Sequence, residues 1–114
     1  MDMNLDIAAM VETMWSAAKG PLGNAAATAE PFAKTQFTNI AQTCASIAAG
    51  VALTQISQQQ AAFLLDIQKH ATQNALLATE GLGLIAAEAA INAALGAVAG
   101  IVNGAVGFKL IVMD

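Results

Sequence analysis

The sequence predicts an all-α protein, elongated and built around one long helix. Three observations lead there. Between Ala29 and about Thr79 there is no proline inside the pattern after Pro31 and a single glycine, Gly50. Alanine dominates the apolar residues, and the apolar–polar alternation of strands is lacking. Apolar residues recur instead every three or four positions, the period of a helix face.

In MNLDIAAMVETMWSAAKG, residues Met3, Ile7, Met10, Val11, Met14 and Ala18 make one apolar stripe, so an amphipathic helix is expected over 4–19. Asp2 and Asn4 can cap its start, and Asp6 suits the first turn, where the helix dipole favours negative charge. Trp15 reads as a staple onto a neighbouring helix. Lys19 suits the last turn, and Gly20-Pro21 reads as the stop. Residues 20–28 read as a loop, with Thr28 capping the next helix and Glu30 and Pro31 tolerated in its first turn.

Over 29–79, Phe37, Ile40, Cys44, Ile47 and Val51 keep helical spacing. So do Ile56, Phe63, Ile67, Ala71, Asn74 and Leu77, after a drift in phase near Gln58. Unbroken, this helix would reach about 75 Å at 1.5 Å per residue. The mean globular helix has only about 11–12 residues. Either the helix breaks near 50–57 or the protein is elongated, and elongation is the expectation. Gly81 and Gly83 mark a turn at 80–83. An apolar helix over 84–103 follows, expected to lie antiparallel to the second half of the long helix as a hairpin, because the connection is short. The tail, 104–114, reads as a frayed turn or a short β-like end.

The 114 residues suit one domain. Hydrophobic residues make up 57% and charged ones 11%, with a mean hydropathy of +0.61. An ordinary soluble domain is about a quarter charged, so this chain cannot cover itself with ionic groups. A net charge of −4 with four lysines and no arginine excludes nucleic-acid binding and a polybasic membrane-surface helix. Cys44, the one cysteine, excludes an intramolecular disulfide and reads as a small buried residue. MDMNLDIAAM is acidic where an export signal needs a basic start, so no export signal of the usual kind is expected. One histidine gives no paired-histidine metal site, and Ser16, Ser46 and Ser57 sit in no nucleophile elbow. No catalysis, cofactor, metal or small-molecule substrate is expected.

The most specific feature is ALGAVAGIVNGAVG, which spaces Gly96, Gly100 and Gly104 four apart. Each glycine costs a soluble helix about 1 kcal/mol against alanine, so three on one face suggest a close helix contact. The plain alternative is a flexible small-residue tail. Glu88 and Asn92 precede the glycines on that face, and Ala89, Ala93 and Ala97 form a neighbouring small ridge. Ile91, Leu95, Val98, Ile101, Val102 and Val106 make the helix apolar nearly all round, which calls for partner subunits or lipid. Ala89 to Phe108 is also long enough, and free enough of charge, to span a bilayer, though Asn92, Asn103 and four glycines dilute it. On this reading Gly100→Leu blocks assembly. Gly96, Gly100 and Gly104 facing open solvent would defeat both readings of this strip.

Three residues are candidates for pH sensing. His70 lies one turn beyond Asp66 on one helix face, a solvated patch in the plain reading and a titrating contact in the sharper one. Glu88 stands alone among apolar neighbours; burial would raise its pKa, and exposure would leave it without a special role. QISQQQ is a polar face or, in an assembly, a source of hydrogen bonds between subunits.

The region from Thr38 to Glu80 resembles the Reb family, killing-trait proteins that build refractile R-bodies. SIAAGVALTQISQQQ at 46–60 carries the likeness, followed by IQKHATQNALLAT. The resemblance implies a non-enzymatic, self-assembling protein of the bacterial cytoplasm, whose ribbons extend on acidification. The expected function is therefore a homo-oligomeric filament, ribbon or sheet packed through apolar helix faces. A membrane-active hairpin of holin-like or pore-forming type, inserting 89–108, is the alternative. A coat on lipid inclusions is a third reading.

Overall fold

A computed structural model describes residues 6–79 and 81–112. They form α1 (Ile7–Leu22), a 3-10 turn (Gly23–Ala25), α2 (Ala26–Ala52), α3 (Gln58–Leu77) and α4 (Leu84–Val106). The protein is all-α, with no strand among the described residues.

The helix ends are set by local chemistry. Asp2 and Asn4 lie outside the described residues, and Asp6 is the N-cap of α1, its carboxylate accepting from the Ala9 amide at 3.1 Å. The expected loop over 20–28 is mostly helical. Pro21 stays inside the last turn of α1, where its missing N–H removes one bond, and Gly23 at φ +57° makes the reversal. α2 therefore starts at Ala26, and Thr28 is not its cap.

The long helix breaks, within the window that the sequence marked. After Ala52 the carbonyl of Gly50 accepts from the amides of Gln55 (2.8 Å) and Ile56 (3.3 Å), which turns the chain. Ser57 and Gln60 then start α3 with a reciprocal capping box: the Ser57 hydroxyl accepts from the Gln60 amide, and the Gln60 side chain accepts from the Ser57 amide. The molecule measures 43 × 24 × 23 Å, so the 75 Å rod of an unbroken helix is not formed. QISQQQ is the stop and restart of the helix.

Successive helices run antiparallel. Lys34 of α2 reaches Glu12 of α1 at 3.5 Å, and Thr38 shares a cleft with Ile7, Ala8 and Val11. Asn39 and Gln42 of α2 face Ile67 and Gln68 of α3, and Gln73 of α3 shares a cleft with Glu88 of α4. The α3–α4 hairpin is thus present, but the most extensive contact of α4 is with α1, which closes a four-helix up-and-down bundle.

The core is continuous and made of small pieces. Met14, Phe37, Ile40, Ile47, Leu76, Leu95, Val98 and Val102 are its largest fully buried apolar side chains, with Trp15 close behind. Alanines at 18, 33, 41, 48, 87, 90 and 94 are sealed completely between them, letting helix backbones approach. α3 is anchored most weakly, burying only Ala61, Leu65, Thr72 and Leu76.

The described part of the tail, 104–112, is neither frayed nor β-like, and residues 113–114 lie outside the described residues. α4 runs past residue 103 to Val106 and ends on Gly107 at φ +86°. Beyond it the chain folds back, and the Asn103 amide donates to the Ile111 carbonyl (3.0 Å) and accepts from the Ile111 amide (2.8 Å). Leu110 and Ile111 are buried in consequence.

Candidate interaction surfaces

Three surfaces collect the residues that the sequence singled out. The first is the outer side of α4. This helix turns Ala87, Ala90, Ile91, Ala94, Leu95, Val98, Val102 and Val106 inward. Gly96, Gly100 and Gly104 consequently face outward, with Ala89 and Ala97, while Ala93 is half-buried. A Cβ built on Gly100 or Gly104 would meet nothing within 4 Å. Among the described residues nothing packs on the ridge at Gly100 and Gly104, and by the solvent criterion it loses its force as evidence for assembly or for lipid. Its small residues leave an open strip, with Ile85 and Ile101 exposed beside it.

The second surface is a cleft of about 200 Å³ between α3 and α4, which gathers all three expected pH-sensing residues. Asp66, Lys69, His70 and Gln73 line it from α3, and Glu88, Ile91 and Asn92 from α4. The His70 Nδ1 lies 3.0 Å from the Asp66 carbonyl oxygen and 3.5 Å from its carboxylate. Both side chains are well exposed, and Glu88 is exposed too. Glu88 thus takes the exposed of its two alternatives. Among the described residues no group of three His, Cys, Asp or Glu is placed to hold a metal ion.

The third surface lies on α3, where helical spacing alone does not say which side is inside. The stripe Phe63, Ile67, Ala71, Asn74 and Leu77 has core-like spacing, yet it faces water. Phe63 is 65% and Ile67 51% exposed. The helical phase also sets His70 on this face. Between α2 and α3 the same side opens into a groove of about 480 Å³. Ile47, Ile56, Leu64 and Ile67 form its apolar lining, and Asn39, Gln42, Thr43, Ser46 and Gln68 supply neutral hydrogen-bonding groups. The phase drift near Gln58 was the available signal. It marks where the capping box restarts the helix with a different side inward, so that Ala61, Leu65, Thr72 and Leu76 face the core.

Two titratable groups among the described residues are perturbed. Burial pushes the Cys44 thiol up to about 11, because the interior cannot solvate a thiolate. The bond from Lys34 to Glu30 (3.0 Å) raises the lysine from its ordinary value, against a smaller opposing effect of desolvation. Glu12 adds to the rise, so Lys34 ties α2 to α1.

α4 is long and apolar enough to cross a membrane by length and composition, with a mean hydropathy of 1.8, and 39% of that window is buried inside the bundle. Comparison with known protein families, characterised proteins and solved structures gives no match. The likeness to the Reb family therefore rests on the residues quoted for it.

Proposed function

We propose that this protein is a non-enzymatic structural subunit of the cytoplasm that associates with copies of itself into a filament, ribbon or sheet. One observation carries the reading: the stripe of Phe63, Ile67 and Leu77 on α3, continuous with the exposed Leu64 of the α2–α3 groove, leaves large apolar side chains uncovered in a folded chain. Exposed apolar surface of that kind marks contact sites. Neutral amides and hydroxyls around the groove can be satisfied across an interface, and the low charge density limits repulsion between copies. The Reb resemblance points the same way, toward a ribbon.

His70 lies within this stripe, beside Asp66 and Lys69 of α3 and Glu88 of α4.

The test is direct. Phe63→Glu with Ile67→Glu, both at exposed positions, is expected to leave the helical circular dichroism intact. The same pair is expected to abolish particles that the unaltered protein forms in plain buffer, scored by negative-stain microscopy. Persistence of those particles in the double variant rules out this surface. Insertion of 89–108 into lipid, the alternative, requires α4 to leave α1 and to break the Asn103 clamp. Flotation of the protein with liposomes in the absence of detergent would favour it.

A further inference from the structure

The turn between α2 and α3 contains the one non-glycine residue with positive φ among the described residues, Thr54 at +55°. A β-branched side chain is strained there, because its Cβ crowds the adjoining carbonyl oxygen. The turn is held shut by neighbours on either side of it. Gly50 accepts the amides of Gln55 and Ile56, and the Ile56 side chain occupies the place where a Cβ on residue 50 would stand. The segment Leu53 to Ser57 contains neither glycine nor proline, so nothing in it forbids a helix. If it became helical, α2 and α3 would join into one helix over 26–77, about 78 Å long.

We infer that this turn is a hinge, through which the α3–α4 hairpin of one copy exchanges with that of a second copy of the chain. The structure itself identifies the occupant. Opening the hinge bares the faces of α1 and α2 against which α4 and α3 pack, and the same hairpin from another copy restores each contact unchanged. Only the turn differs between the two states. The open form loses the Ser57–Gln60 capping box and the seat of Ile56 on Gly50, and it gains relief at Thr54 and an uninterrupted helix. Short, strained hinge loops favour such exchange. Reciprocal exchange closes a dimer, whereas one-directional exchange propagates into a filament. The inference rests on the self-association reading and gives it a geometry.

The experiment uses the full chain with nitroxide labels at Gln42→Cys and Ile67→Cys in a Cys44→Ala background, diluted into unlabelled protein. Both labelled positions are exposed and line the same groove, so the closed chain gives a short separation. A continuous helix holds them about 38 Å apart. Monomer and oligomer, separated by size after refolding at high concentration, are expected to give the short and the long distance respectively. Thr54→Gly, which tolerates the positive φ, should lower the oligomer-to-monomer ratio about tenfold. Gly50→Ala, which displaces Ile56, should raise it. An oligomer showing only the short distance, or a ratio indifferent to both hinge variants, overturns the exchange while self-association stands. A protein that forms no oligomer under these conditions overturns both.

Discussion

Replacing Asn103 with alanine removes the clamp on the C-terminal segment and leaves the rest of α4 intact. The Asn103 amide satisfies both polar groups of Ile111, at 3.0 and 2.8 Å. Without it a part-buried donor and a part-buried acceptor lose their partners, at about 1–1.5 kcal/mol each, or about 2–3 kcal/mol together. Peeling the segment away is the other outcome. That would give up the burial of Leu110 and Ile111, 6% and 4% exposed, at about 1.5–3 kcal/mol each. Regained backbone freedom, about 1–2 kcal/mol per residue, offsets much of this loss. Both routes give a loss of a few kcal/mol, large against the ~5–15 kcal/mol of a typical domain. Urea unfolding followed by circular dichroism measures it, and hydrogen exchange at the Ile111 amide reports whether the segment stays docked. A loss below about 0.5 kcal/mol, with that amide still protected, would refute the clamp as an energetic feature.

Other positions test other parts of the account. Thr79 is 5% exposed and its hydroxyl has no hydrogen-bond partner among the described residues, so the near-isosteric Thr79→Val should raise stability by about 1 kcal/mol, read as a higher urea midpoint. Gly100→Ala and Gly104→Ala fill open space on an exposed helix face and should each add about 0.5–1 kcal/mol, read as a rise in melting temperature. A fall in stability would mean that the ridge is covered within the chain. The Cys44 thiol, raised from 9.0 to about 11, stays neutral in the folded state while the unfolded thiol ionises. Stability is therefore unaffected below the ordinary value and falls by roughly 2–3 kcal/mol as pH rises from 9 to 11. Cys44→Ala should remove that part of the slope in urea titrations at pH 8 and 10.5.

Helix content and much of the core were legible in the sequence because they follow from local rules. Met10, Met14, Phe37, Ile40, Cys44 and Ile47 repeat at the helical period, and they are the residues buried. Elements that depend on tertiary context were less legible. The principal partner of α4 is α1, which no spacing argument connects across the 61 residues between Leu22 and Leu84. Pro21 looked like a terminator, yet it falls late enough in α1 to cost a single backbone bond. In α3 the large side chains followed one phase and the burial another. Spacing identifies faces, and only packing decides which face is inside. The glycine series illustrates the same limit: its spacing correctly placed Gly96, Gly100 and Gly104 on one face, but the valine and leucine face of α4 won the core. The hydrophobic gain scales with area removed from water, and the glycine strip has little side-chain area to bury.

The central claim is self-association, and light scattering of the purified, detergent-free protein from micromolar concentrations upward tests it most directly. The account predicts particles far above the 11.5 kDa of one chain, growing with concentration. A single species of 11.5 kDa across the range would contradict it.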